Sequence, residues 1–172
     1  MNKKYPIRAA RRLAAAAILL SALQAQPALA ASVNTAAFDA HYTTASPYAQ
    51  EREAGNLLNS DRSRYNLPAL TIDPALSSIA RVKSQDMLTG GYFAHTSPTY
   101  GDVRDMLTHF GYAYTAAGEN IARYGSIEKA QAALMSSPGH RRNILSTAYQ
   151  KVGIGIALSA QGHVYLTQIF CR

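Results

Sequence analysis

The chain has 172 residues, of which 48% are hydrophobic and 16% are charged. This balance excludes a disordered chain, which would have fewer apolar residues and more charge. The length fits one domain of ordinary size. The formal net charge of +7 points at first to an anionic partner, such as nucleic acid or a phospholipid surface. The positions of the charges decide whether that interpretation holds.

The first thirty residues have the three parts of a secretory signal peptide. Residues 1–12 hold five basic residues and no acidic one, an apolar run follows over 13–23, and Ala28 and Ala30 have the spacing of a cleavage site. The apolar run is much shorter than the roughly 20 residues that span a bilayer, so a membrane anchor or a buried helix is the weaker interpretation. We therefore predict a signal peptide over 1–30, cleaved near Ala30, and a protein that is secreted to the periplasm or outside the cell.

Removal of that segment changes the electrostatic argument. Residues 1–30 hold five of the 17 basic residues and none of the 10 acidic ones, which leaves 12 basic against 10 acidic residues and a net charge of +2. A nearly neutral chain has no electrostatic reason to bind nucleic acid. The remaining chain also holds no second long apolar run. We expect no nucleic-acid partner, no transmembrane segment after residue 30, and a monomer.

The chain contains one cysteine, Cys171, so an intrachain disulfide is excluded. An exported domain without disulfides depends on its apolar core. A chain of about 140 residues is long enough to bury such a core. The role of Cys171 stays open at this point.

The domain is predicted over 46–172, after a small, polar arm over 31–45. Five helices are predicted from a capping residue or an initial proline: about 46–63, 73–88, 102–110, 126–135 and 137–145, starting at Ser46, Asp73, Asp102, Ser126 and Ser137. Residues 112–125 are predicted as a strand edge and loop. The runs 151–160 and 163–170 predict an antiparallel hairpin. Helices followed by a closing hairpin favour an α+β fold.

Three residues are candidates for chemistry. His95 and His140 lie in His-Thr-Ser-Pro and Ser-Pro-Gly-His, and Glu119 follows a glycine in Ala-Gly-Glu-Asn-Ile. Two imidazoles and one carboxylate can form a His₂Glu metal site with an open position, or a general acid and base pair. The competing interpretation is structural: Ser137 caps a helix, His140 lies in its first turn, and Glu119 accepts N–H bonds from a loop. Spacing alone leaves both interpretations open.

The remaining histidines and two serines are weaker candidates. His41, His109 and His163 lie where ordinary surface roles are expected. Ser97 and Ser137 are close in sequence to a histidine, but no G-x-S-x-G elbow surrounds them. A serine before a proline is sufficiently explained as a helix cap.

Six motifs in one order resemble the bacterial branch of the CAP superfamily, which includes cysteine-rich secretory proteins, antigen 5 and plant pathogenesis-related proteins. The resemblance covers about 50–170. It is carried by the Leu, Asn, Arg, Pro and Asp pattern of 57–87, and by YFAHTSP at 92–98, GENIA at 118–122, SPGHRRNIL at 137–145, VGIG at 152–155 and TQIF at 167–170.

The resemblance implies a three-layer α-β-α sandwich with a mostly antiparallel central sheet. It also implies a cleft lined by two histidines and an acidic residue, here His95, His140 and Glu119. In several members that cleft binds a divalent metal such as zinc. Other members bind sterols or fatty acids at separate surfaces, and no single reaction is common to the family.

Three departures from the family pattern bear on function. Many animal and plant members have a second cleft glutamate, whereas Glu128 is the only acidic residue between Glu119 and His140 here, and Ser136 lies nearer the matching place. Leu134 stands where bacterial relatives often have tryptophan, and the disulfides of eukaryotic members are missing. These differences weaken any transfer of sterol-binding or toxin functions.

Three functions are therefore considered, in order of preference. The first is a secreted CAP-domain protein whose cleft of His95, Glu119 and His140 binds a divalent metal, a small ligand or a cell-envelope component. The second is a metal-dependent hydrolase, such as a peptidase, in which Glu119 is a base or a ligand. The third is a lipid-binding protein, although the sequence shows no long apolar groove element.

Overall fold

A computed structural model of the protein describes residues 47–172. The predicted signal peptide over 1–30, the arm over 31–45, the Ser46 cap and His41 lie outside the described residues. Within residues 47–172, no helix combines the length and the apolar character needed to cross a membrane.

The described chain contains five helices and four strands. In chain order these are α1 Pro47–Arg64, β1 Thr71–Ile72, α2 Pro74–Thr89, α3 Val103–His109, β2 Ala117–Tyr124, α4 Ile127–Ser136, α5 Pro138–Ile144, β3 Lys151–Leu158 and β4 Val164–Cys171. The five predicted helices and the closing hairpin are confirmed, with ends that differ by a residue or two. Strand β1 was not predicted, because two residues are too few to show an alternating pattern.

Local capping explains where most helices begin. Asp73 accepts a hydrogen bond from the Leu76 amide at 2.9 Å, and Asp102 forms a reciprocal capping box with Asp105. Ser126 caps α4 in the same way, through the Lys129 amide. The side-chain part of the Ser137 prediction is wrong. Its backbone is the N-cap of α5, yet its hydroxyl makes no capping bond. Ser137 is also the C-cap of α4, where its amide donates to the carbonyls of Ala133 and Leu134.

The sheet has the strand order β1-β3-β4-β2. Strands β3 and β4 pair antiparallel, as do β4 and β2, whereas β1 pairs parallel with β3. The sheet is therefore mixed, with antiparallel pairing along its long strands. Strand β4 is central, and β2 forms one edge.

Alternation along β4 divides the core into two layers. Leu166 and Phe170 pack with residues of α1, α4 and α5 on one face, while Ile169 and Cys171 pack with residues of α2 and α3 on the other. Side chains of successive strand residues point to opposite faces, so both faces of the sheet are covered. This arrangement confirms the predicted α+β fold as a three-layer α-β-α sandwich.

Two glycines of β3 allow α2 to lie directly on the sheet. A Cβ atom on Gly155 would lie 2.1 Å from the carbonyl carbon of Ala80, and one on Gly153 would lie 2.3 Å from that of Leu76. Neither glycine has the left-handed backbone that otherwise favours glycine. The reason for glycine here is the close approach of two backbones.

Candidate functional site

Two of the three predicted residues are in direct contact. Glu119 lies in β2 with its side chain only 3% exposed, and its Oε1 is 2.7 Å from Nδ1 of His95. His95 follows α2 in a loop and leaves 56% of its side chain exposed. The expectation that Glu119 accepts loop N–H bonds is wrong, because strand alternation directs its side chain to the imidazole instead.

The second histidine approaches from a different element. His140 lies in the first turn of α5, as the structural interpretation expected, and its ring centroid is 6.3 Å from that of His95. Its main-chain carbonyl accepts a hydrogen bond from Asn120 Nδ2 at 3.1 Å. A loop, an edge strand and a short helix therefore meet at one place, where two imidazoles and one carboxylate converge.

A buried amine holds the loop that carries His95. Lys83 of α2 is fully buried, and its Nζ donates to the main-chain oxygen of His95 at 2.8 Å. In the same loop, the hydroxyls of Ser97 and Tyr92 both donate to Asp86 of α2. The loop is thus fixed to α2 at three points, which limits the positions that the His95 ring can reach.

A chain of amides holds α5 against β2. Asn143 of α5 donates to the Asn120 side chain at 2.9 Å and to the Glu119 carbonyl at 3.2 Å. The buried bonds then continue from Asn120 to Gln168 of β4, from Gln168 to Gln131 of α4, and from Gln131 to Asp61 of α1. Fully paired buried polar groups of this kind specify one arrangement of the surrounding helices.

The environment shifts the pKa values of the two histidines in opposite directions. The hydrogen bond to Glu119 raises the pKa of His95 above its ordinary value, against an opposing effect of burial. Burial lowers the pKa of His140, and the nearby His95 charge lowers it further. Burial also lowers the pKa of Lys83, which the negative charges of Glu119 and Asp86 partly offset.

As the pH rises, we expect His140 to lose its proton before His95. The bond to Glu119 favours protonated His95, so its stabilising effect is complete below the ordinary histidine pKa and is lost as the pH rises through the higher folded pKa. Ring proton shifts recorded by NMR across the pH range measure both titrations. In Glu119→Gln the pKa of His95 should fall, since the carboxylate charge is gone. A His95 titration unchanged in Glu119→Gln would contradict the assigned cause.

Imidazole and carboxylate groups are ligands for divalent metal ions. Within residues 47–172, no three His, Cys, Asp or Glu side chains are grouped as a ready metal cage. Two imidazoles that share an ion at about 2.1 Å have ring centroids roughly 5–6 Å apart, close to the 6.3 Å between His95 and His140. The separation of the two rings is therefore close to that of two imidazoles that share an ion.

Glu119 fits a supporting position rather than a vacant ligand position. One of its oxygens holds the His95 ring from behind, as carboxylates commonly do for metal-binding histidines. Its other oxygen, Oε2, is buried and has no hydrogen-bond partner among the described residues. A buried carboxylate oxygen without a partner is costly, so this atom marks a place where a ligand or a water would be stabilised.

Other residues considered from the sequence lie apart from this cluster. Ser97 is buried, and its hydroxyl is occupied by Asp86 and by the amides of Thr99 and Tyr100. Glu128 is exposed at the start of α4, and Ser136 is exposed with its hydroxyl bonded inside α4. His109 and His163 are exposed.

Lys83 is a supporting residue that was not predicted from the sequence. The signal was a lysine on the apolar face of α2, four residues after Ile79 and four before Met87. A lysine at such a helical spacing is expected to be buried with a specific partner. The partner itself was not visible, because the main-chain oxygen of His95 has no sequence signature.

A groove adjoins the cluster along the outer edge of β2. Its volume is about 390 Å³, and it is lined by Phe93, the four β2 residues 121–124, Ala133, Leu134, Ser137 and His140. The groove lies between the loop after α2 on one side and helices α4 and α5 on the other. We refer to it below as the β2 groove.

Comparison with known proteins agrees with this architecture. Residues 56–170 match the model of the cysteine-rich secretory protein family, CAP. The chain is 43% identical over 133 residues to the uncharacterized protein YkwD of Bacillus subtilis (strain 168), a match that covers 75% of this chain and 49% of YkwD. The chain thus spans about half the length of that relative.

Solved structures give the same result. An extracellular protein containing an SCP domain from Bacillus anthracis str. Ames is 34% identical, with a TM-score of 0.66 over 70% of this chain and 39% of that one. An outer surface protein from Borrelia burgdorferi is 16% identical, with a TM-score of 0.67 over 76% of this chain and 95% of that one, which is a likeness of fold alone. The chain belongs to the cysteine-rich secretory protein (CAP) family.

Proposed function

We propose that the protein is exported and binds a divalent metal ion or a small ligand in the cleft formed by His95, Glu119 and His140. The observation that carries this proposal is the buried Glu119 carboxylate, which holds His95 with one oxygen and leaves the other without a described partner. The ring of His140 lies 6.3 Å from that of His95. His95 and His140 would hold the ion. Glu119 orients His95 and increases its basicity.

Export is supported by two observations of different kinds. Residues 1–30 have the composition of a signal peptide, and the similar Bacillus anthracis structure is described as an extracellular protein. N-terminal sequencing of the protein recovered outside the cytoplasm tests this part. A first residue near Ala31 is expected, whereas an intact Met1 in the cytoplasmic fraction would contradict it.

Calorimetric titration of Zn²⁺ into the purified protein tests the metal site. One ion per chain is expected, and His95→Ala combined with His140→Ala should weaken binding by roughly 100-fold or more, since both nitrogen ligands are lost. Zinc affinity should also rise with pH, because the metal competes with the proton that Glu119 stabilises on His95.

His163→Ala is the matched control, because His163 is an exposed histidine outside the cluster. This variant should bind zinc as the unaltered protein does. Equal zinc affinity in the double variant and in the unaltered protein would remove His95 and His140 as ligands. If the titration with Zn²⁺ gave no heat and mass spectrometry detected no zinc adduct, the metal-binding proposal would be contradicted.

A hydrolase is the second candidate, and the same Glu119 Oε2 favours it. A buried carboxylate oxygen without a described partner can accept a proton from an attacking water. A bound zinc ion would supply Lewis acidity at this place. Turnover of peptides, esters or peptidoglycan fragments that disappears in Glu119→Gln would support this candidate. Absence of turnover across such a panel, with zinc present, would contradict it.

A further inference from the structure

Strand β2 uses only one of its two edges for the sheet. All eight residues of β2 pair with β4, and β2 stands last in the strand order. At the start of its outer edge, side chains replace a neighbouring strand: the Ala117 carbonyl accepts from the Tyr149 hydroxyl at 3.5 Å, and the Glu119 carbonyl accepts from Asn143 Nδ2 at 3.2 Å.

The second half of this edge has no such cover. Main-chain groups of alternate residues point to the same side of a strand, so Ile121 and Arg123 face the same way as Ala117 and Glu119. In the described part of the chain, no side chain donates to or accepts from these outward groups. They line the β2 groove instead. Proteins usually protect an edge of this kind, because it is a template for another strand.

We propose that the β2 groove binds a short extended peptide, which adds to the sheet as a fifth strand beside β2. Ile121 and Arg123 offer two N–H donors and two carbonyl acceptors, and such main-chain bonds are how added strands gain affinity. The proposal does not depend on a metal ion, because it uses only the backbone and walls of the groove.

The walls of the groove define which peptide fits. A peptide residue opposite Ala122 would direct its side chain to the face where Ala133 and Leu134 lie, which is an apolar environment. The next residue, opposite Arg123, would lie on the other face. There Arg123 is exposed and stacks over the Tyr165 ring, with its carbon Cζ 5.6 Å from the ring centroid.

Charge complementarity adds an acidic preference. Three of the residues that line the groove carry a titratable group: Arg123, His140 and Tyr124. No lining residue is acidic. Arg123 donates from one nitrogen to the Tyr165 hydroxyl at 3.2 Å, and no other side-chain bond of its guanidinium is found within residues 47–172. Its remaining donors can therefore bind a carboxylate. The expected ligand is therefore an extended peptide in which an apolar residue is followed by an acidic one.

Exposed aromatic rings frame this binding site. Phe93 is 44% exposed and stacks edge-on against Tyr165 at 6.4 Å, and Tyr124 is 43% exposed at the far end of the groove. Large exposed rings that flank a concave surface are typical of interaction sites. The opposite end of the groove is His140, so a bound peptide would pass beside the histidine cluster.

The probe is a blocked hexapeptide in which valine and glutamate alternate, added to ¹⁵N-labelled protein in a buffer that contains EDTA. The chelator separates this test from the zinc proposal, since peptide binding is expected without metal. The amide resonances of Ile121 and Arg123 should shift on titration. Ala133→Glu should weaken binding at least tenfold, because it places bulk and negative charge in the groove. Ala132→Glu, on the exposed face of the same helix, should bind as the unaltered protein does.

N-methylation of the peptide tests strand addition directly. Methylation of the peptide amides that face β2 should abolish binding. Methylation of the alternate amides, which face away from β2, should leave binding nearly unchanged. Equal effects of the two methylation patterns would overturn the proposal. The proposal would also be overturned if millimolar peptide caused no shifts, or if the shifts were confined to α2 and α3. It would be overturned as well if the Ile121 and Arg123 resonances shifted with protein concentration instead of peptide concentration, which would assign the edge to a second copy of the chain.

Discussion

Gly155→Ala is expected to destabilise the folded protein by about 3 kcal/mol, the upper end of what overpacking costs. The added methyl would lie 2.1 Å from the Ala80 carbonyl carbon and 2.2 Å from the Arg81 amide nitrogen. Both atoms belong to the backbone of α2 and cannot move away as the end of a side chain does. Helix α2 must therefore separate from β3, which opens the core beneath it.

Chemical denaturation followed by circular dichroism measures this effect. Gly139→Ala is the matched control, since a Cβ there meets nothing within 4 Å and Gly139 lies in helix α5. That variant should be unchanged or stabilised by about 0.5–1 kcal/mol, because alanine is the better helix former. If Gly155→Ala unfolds at the same denaturant concentration as the unaltered protein, the close approach of α2 and β3 is not as described.

Arg62→Met is the second substitution with a large expected effect, about 3 kcal/mol or more. Arg62 is 1% exposed and donates to three main-chain carbonyls: Pro68 at 2.9 Å, Ile144 at 2.6 Å and Ser146 at 2.8 Å. Methionine fills much of the space and donates to none of them. The substitution leaves these carbonyls unpaired, and it releases the C-terminal end of α5. It also removes a positive charge from that end, where such a charge is favourable.

Arg64→Met is the control, because Arg64 lies in the same helix with 72% of its side chain exposed, so that solvent reaches the arginine side of its ion pair with Asp61. Ion pairs that solvent reaches in this way contribute about 0–1 kcal/mol. Arg62→Met should also speed amide hydrogen exchange in α5, which carries His140 and Asn143. Equal denaturation midpoints for the two variants would show that the three carbonyl contacts of Arg62 contribute little to stability.

The helices were predictable because their signals are local. Asp73 and Asp102 cap the helices that follow them within three residues, so a short window of sequence contains both partners. The parallel pairing of β1 was not predictable, since it joins Thr71 to Lys151 across a large sequence separation. The hairpin of β3 and β4 was predicted, because its two strands alternate and are joined by a short turn.

The residues of the candidate site could be predicted from the sequence, but the residues that hold them in place could not. His95, Glu119 and His140 were identified from their sequence contexts and the family resemblance, and the structure brings His95 into contact with Glu119 and close to His140. Their metal-binding role stays a prediction. Gln131 bonds to Asp61, which lies in a distant segment of the chain. Lys83 bonds to a main-chain atom, the carbonyl oxygen of His95. No sequence pattern of either partner indicates these bonds.

Cys171 is the single cysteine of the chain and lies in the central strand, where it is 1% exposed. Burial raises the pKa of its thiol to about 11. Since the thiolate is the reactive form, an alkylating reagent can reach and modify Cys171 only when β4 leaves its neighbours. The rate of alkylation at a fixed pH therefore reports how often the end of β4 that carries Cys171 opens, alone or together with the rest of the sheet. The molecule carries its own reporter of rare unfolding events, without any introduced label.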